Sequence, residues 1–170
     1  MKAKFYLIAL ILLTATTAFS AETVKDMFAH GQAQGEIRMF SFSRSFDDDA
    51  KDTNDNSIGG IFSYKTASFY GISFGTAFHT SNDIESDEDK NAYGLLKADH
   101  DSYTKLGEYY IQGSWLNTTI KYGAQEIQTP FLGKHDIRMT PYTYKALSVV
   151  NNSVENLTLS AYYVTDFQGH

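Results

Sequence analysis

Lys134, His135, Arg138 and Lys145 all fall within the stretch LGKHDIRMTPYTYKA, Leu132 to Ala146, of a chain that is otherwise acidic. A guanidinium stays charged at any working pH, and its planar fork matches a carboxylate, so such a stretch can recognise small anions. Two further arginines, Arg38 and Arg44, flank Phe40 and Phe42 in IRMFSFSRSF. Lys65, Lys121 and Gln125 lie on the polar faces of alternating segments and could add to a charged wall. The plainer alternatives are a surface pair of Arg138 with Asp136, which contributes little, and a solvated wall at the lysines.

Other chemistries find less support. DDDAKDTNDN and SNDIESDEDK offer carboxylates to hard cations, but neither has the glycine and terminal glutamate of an EF-hand loop. Solvated loops fit them better. There is no His-Glu-x-x-His and no phosphate loop, and His30, His79, His100, His135 and His170 are scattered among segments that look exposed. The expectation is a non-enzyme without cofactor or metal; a small-barrel lipase or protease is a weak alternative.

The elements that must position these residues begin after MKAKFYLIALILLTATTAFSAET. Lys2 and Lys4, an apolar run from Phe5 to Leu13 and then small residues make residues 1–20 a signal peptide, with cleavage expected after Ser20. The apolar run is too short for a spanning helix. Its removal leaves 12 basic residues against 20 acidic ones, a net charge of −8, which argues against a nucleic-acid partner. The chain has no cysteine, so export brings it no disulfides.

Val24, Met27 and Phe28 stand at helical spacing behind Thr23 and Asp26, which predicts a short helix in an amino-terminal segment, 21–34. From Gly35 to the end, 35–170, the period is two. Six strands are expected, in GEIRMFSFSRSF, SIGGIFSYKT, FYGISFGTAFHT, YTKLGEYYIQGSW, TIKYGAQEIQ and ENLTLSAYYVTDF, joined by connections that alternate long and short. Ile72, Phe74 and Phe78 oppose Ser73, Gly75 and His79; Ile120 and Tyr122 oppose Thr119 and Lys121.

A soluble sandwich would show the same period. Strands of roughly ten residues, aromatics near strand ends and the alternating loops instead favour an all-β fold, a transmembrane antiparallel β-barrel. A sheet in lipid must close. About six strands do not close a large barrel, so the sequence reads as an incomplete amino-terminal part.

Four stretches carry a family resemblance. IRMFSFSRSF, DSYTKLGEYYIQGSWLNTTIKYGAQEIQTP, HDIRMTPYTYKA and ENLTLSAYYVTD resemble, in order, the first strand, a strand-turn-strand, the third-loop pattern and the following strand of the OprD-type porins of bacterial outer membranes. The third loop keeps Arg138 and Pro141, but Ile137 stands where the family commonly has Ser, and Tyr142 where it has Gln.

The resemblance implies a barrel of about eighteen strands that passes small solutes by diffusion, and packing as homotrimers. It also implies an inward third loop that narrows the pore beside a ladder of basic residues. Carried onto this chain, Arg138 falls at the constriction, with Arg38, Arg44, Tyr142 and Lys121 as further candidates. The expected solutes are carboxylates, amino acids or short peptides, and the expected surroundings are outer-membrane lipid and lipopolysaccharide. A small outer-membrane or secreted β-protein with a structural or adhesive role is the other reading.

Overall fold

The computed structural model describes the backbone of residues 2–12 and the residues 20–47 and 50–169. It is one antiparallel sheet of eight strands in chain order: β1 (Lys2–Leu12), β2 (Gln32–Ser45), β3 (Thr53–Lys65), β4 (Ile72–Asp83), β5 (Tyr103–Trp115), β6 (Thr118–Gln125), β7 (Thr143–Val154) and β8 (Leu157–Gln168). Strands β2 to β8 form half of a barrel. Among the described residues no helix is long and apolar enough to cross a membrane, which says nothing of crossing by strands.

Alternation decides the two faces. Ile72, Phe74 and Phe78 on β4, Leu106, Tyr109 and Ile111 on β5, and Ile120 and Tyr122 on β6 are exposed on one face, Phe78 at 51% and Tyr122 at 56%. The opposite face holds Arg38, Phe40, Phe42, Asp55, Ser57, Ala77, His79 and Ser81, all buried. In water an apolar band of this extent would be a liability. Against lipid it is the expected outer surface of a barrel, with the polar face turned inward.

Connections of 46–52, 84–102 and 126–142 leave one end of the sheet, whereas 66–71, 116–117 and 155–156 make short turns at the other. A short helix, α1 (Val24–Ala29), lies at the short-turn end. Thr23 caps it by accepting the Asp26 N–H at 3.1 Å, and Met27 is buried with Ala21 and Ala67.

The register contains a bulge where Ala77 faces Glu108 but Phe78 faces Leu106. The extra residue, Gly107, lets Leu106 and Tyr109 share the exposed face although they are three apart. It also makes room on the inner face, because a Cβ on Gly107 would lie 2.3 Å from the His79 ring.

Several expectations need correction. Seven strands, not six, lie between residues 32 and 168: Thr143–Val154 is a strand, so Lys145 belongs to the wall and the connection ends at Tyr142. Thr53 to Asn56, expected in a loop, begin β3. The first barrel strand starts at Gln32, earlier than Gly35. Lys2–Leu12, which lies inside the expected signal peptide and leaves that expectation untested, runs along β2 from Lys2 opposite Ser45 to Leu12 opposite Gly35. An open strand edge carries unpaired backbone groups, and an apolar segment of strand length satisfies them. The expected cleavage point borders residues 13–19, which lie outside the described residues.

Candidate functional site

Between β6 and β7 the chain does not leave the sheet but lies back over its inner face. Met139 and Thr140 are fully buried, and Met139 packs with Phe40, Phe42 and Leu95, against which Tyr93 also lies. The Thr140 hydroxyl is 3.0 Å from the Tyr103 hydroxyl. Pro141, also buried, has no N–H to leave unsatisfied there. The base of the loop rests on Ile127, Tyr144 and Ala146, and the Tyr144 hydroxyl donates to the Gly133 carbonyl at 2.8 Å.

Polar ties fix the loop's middle. Arg38 reaches from β2 to the Asp136 carboxylate, with Nη1 to Oδ1 at 2.5 Å and Nη2 to Oδ2 at 3.1 Å. Lys134 pairs with Glu126 at 3.1 Å and lies 3.6 Å from Asp136. Burial alone would raise the Asp136 carboxyl; the hydrogen bonds and charge of Arg38, with help from Lys134, prevail and hold it below the ordinary carboxylate range.

A second loop, 84–102, covers the same face. Buried Asp55 holds it: Oδ2 accepts the backbone N–H groups of Tyr93, Gly94 and Leu95 at 2.8, 2.9 and 2.9 Å, and Oδ1 faces His100 Nδ1 at 2.9 Å. His100 Nε2 faces the Lys90 carbonyl at 3.2 Å. Both ring nitrogens thus meet acceptors, which only the doubly protonated imidazolium can satisfy. Burial works against that charge, but the Lys90 carbonyl and the Asp55 carboxylate outweigh it and raise the His100 pKa above its ordinary value.

The loops meet at Arg138. Its guanidinium is 5.0 Å from the centre of the Tyr93 ring, Nη1 is 3.5 Å from the Gly94 carbonyl, and Tyr93 itself stacks on Phe42 with ring centres 3.5 Å apart. A cation over an aromatic face is held without being neutralised. Gly94 has a positive φ of 98°, and a Cβ there would come within 2.5 Å of Arg138 Nη1. Asp136, the partner expected for Arg138 at a surface, is taken by Arg38 instead.

The other candidates are spread along the inner face. Phe40 and Phe42 share it with Arg38 and Arg44 without any bulge in β2, because the two loops cover the aromatics. The Arg44 guanidinium lies 4.6 Å from the Phe46 ring, near the long-loop end. Tyr142 is half-buried, its ring 5.0 Å from those of His135 and Phe167. Lys121 stands away from the loops, with Nζ 4.3 Å from the Tyr110 ring. It is paired across the ladder with Gln112, which accepts from Lys65 Nζ at 3.4 Å. The structure therefore brings together Arg38 and Arg138, with Tyr142 at the loop's end, and leaves Arg44 and Lys121 on either side.

Two histidines expected in exposed segments, His79 and His100, are buried, while His170 lies outside the described residues. Gly71-Ile72-Ser73-Phe74-Gly75 has the spacing of a nucleophile elbow, which needs a strand-to-helix turn. Here Ser73 lies within β4 opposite Gln112, so that geometry is absent. Among the described residues no group of three or more His, Asp or Glu could hold a metal ion.

The comparisons with known proteins agree with this architecture. Residues 25–170 match the family model described as outer membrane porin, OprD family. The fold is similar to the crystal structure of Acinetobacter baumannii OccAB1, with a TM-score of 0.73 at 23% identity, over 85% of this chain and 36% of that one. The chain thus spans little more than a third of the length of that structure, and at this identity the likeness is one of fold. No curated protein matches the sequence.

Proposed function

The chain belongs to the OprD family of outer membrane porins, and from that premise we propose that it contributes to passive, substrate-selective diffusion of small solutes. The pore is narrowed by the loop 126–142, and the solutes are carboxylates, amino acids or short peptides. One observation carries this reading: Met139 and Thr140 are buried on the inner face, and beside them the Arg138 guanidinium lies 5.0 Å from the centre of the Tyr93 ring.

Arg138 meets the solute at the narrowest point, where its charge is carried on an aromatic face and remains available to a carboxylate. Arg44 on the long-loop side and Lys121 on the short-turn side add weak sites before and after it. Arg38 and Tyr142 shape the constriction. Charged groups spaced along a pore raise the local concentration of the counter-charged solute, and shallow sites release it again. No bond is made or broken.

The exposed apolar face meets lipid, the acidic outer loops meet lipopolysaccharide, and the full-length protein assembles as a homotrimer. The segment 1–20 acts as a signal peptide; its removal frees the β2 edge for a closing strand, as a sheet in lipid requires. The function is tested by swelling of liposomes that contain the full-length protein. A small carboxylate such as succinate enters faster than a neutral sugar of similar size; no uptake, or equal rates, would overturn the proposal.

A further inference from the structure

We infer that Arg38 is the anchor that holds the inward loop in place, a positioning residue and not a rung that binds solute; this rests on the porin reading. A guanidinium carries five N–H donors. In this structure each has a protein acceptor. Nε donates to Glu36 Oε1 at 2.7 Å, and Nη2 donates to Glu36 Oε2 and Asp136 Oδ2, both at 3.1 Å. Nη1 donates to Asp136 Oδ1 at 2.5 Å and to the Arg138 carbonyl at 2.9 Å.

Arg38 itself is only 7% exposed. With two carboxylates on one buried guanidinium, neither a free donor nor a net positive charge is left for a passing anion. Arg138 differs: among the described residues its guanidinium meets a ring and one carbonyl at 3.5 Å. Arg38 also holds that residue by its carbonyl, so the position of the solute-facing arginine depends on the buried one.

The ties continue along the loop. Asp136 is shared with Lys134, which reaches back to Glu126, the first loop residue after β6, and the Tyr142 N–H donates to the Lys134 carbonyl at 2.6 Å. Wall, loop middle and both loop ends therefore form one connected set. Charge-assisted bonds of this kind, taken out of water, are the strong ones, and removing one partner leaves the other buried and unpaired.

The test uses the full-length protein with Arg38→Met and, separately, Asp136→Asn. Trypsin acting on the folded protein reports release of the loop, because cleavage after Lys134 and Arg138 requires it to leave the wall. Arg38→Met, which leaves the loop sequence untouched, is expected to accelerate that cleavage about tenfold or more. In planar bilayers both variants are expected to show a larger, noisier open-state current and a change of ion selectivity in the same direction. A rung would behave otherwise: Arg38→Met would lower anion preference, Asp136→Asn would raise it, and tryptic cleavage would stay at the wild-type rate. That outcome overturns the inference. If Arg38→Met does not refold, the current noise of Asp136→Asn decides alone. A wild-type protein that conducts nothing counts against the porin reading, and the trypsin comparison still decides the anchor.

Discussion

Asp55→Asn tests how the second loop is held, with little change of shape. The wild-type carboxylate accepts three backbone N–H groups through one oxygen and faces a protonated His100 with the other. Asparagine keeps one carbonyl oxygen. If that oxygen stays with the three N–H groups, the amide NH2 faces His100 Nδ1, which can accept from it only by giving up its proton, and the charge assistance is lost throughout. Bonds to a charged group contribute about 1.5–3 kcal/mol each, and breaking a buried pair costs about 3–5 kcal/mol. Opening of the loop should therefore become easier by about 3 kcal/mol, which is roughly a hundredfold in the opening equilibrium. Hydrogen exchange of the Tyr93, Gly94 and Leu95 amides in detergent-solubilised protein reads that change directly, with strand amides of β4 as the internal standard. Exchange within about twofold of wild type would refute the reasoning, since it would mean that the loop is held by its apolar contacts alone.

Three further outcomes follow from the same structure. The His100 pKa is raised above 6.5, so its contribution is complete below that value and is lost as the pH rises through the raised value; protection of the Leu95 amide, corrected for intrinsic rates, should hold up to pH 6.5 and fall above it, and flat protection would contradict the imidazolium assignment. Conversely, the Asp136 carboxyl is held below 3.8, so the Arg38 tie persists to acid pH and is lost as the pH falls through that lowered value; loop release measured by exchange at Met139 near neutral pH would contradict it. Phe78→Arg places a charge midway along β4 on the exposed apolar face and should destabilise refolding into lipid by about 2–4 kcal/mol, read from denaturant titration; an unchanged midpoint would show that this face does not meet the bilayer core.

Much of the wall was legible because its two faces differ in kind. Ile72, Phe74 and Phe78 alternate with Ser73, Gly75 and His79, and nothing but an apolar surroundings on one side explains that pattern over so many residues. Strand β7 was not legible. Its inner residues, Tyr144, Ala146, Ser148 and Val150, are as mixed as its outer ones, Lys145, Leu147, Val149 and Asn151, and Lys145 continues the loop's basic run. Asp55 was hidden among the acids of DDDAKDTNDN, although its neighbours Asn54 and Asn56 have quite different exposures from its own.

The site was legible in part for a similar reason. Proline and four basic residues in LGKHDIRMTPYTYKA mark a segment that is neither strand nor ordinary turn, and the structure lays most of it on the inner face. The partners could not be read. Arg38 and Asp136 are 98 residues apart, and the choice of Arg38 over the nearby Arg138 depends on which side chain points into the wall. The same holds for Tyr93, a loop residue whose place beneath Arg138 is fixed by the Asp55 carboxylate on β3.

The most direct measurement of the central claim is single-channel conductance of the full-length protein, wild type against Arg138→Ala, with arginine or a dicarboxylate added. Wild type should conduct, with current reduced by the added solute at low concentration. Arg138→Ala should conduct more, bind the dicarboxylate more weakly and lose anion preference. Equal conductance, block and selectivity in the two proteins would contradict the account, because the loop would then narrow nothing that the solute has to pass.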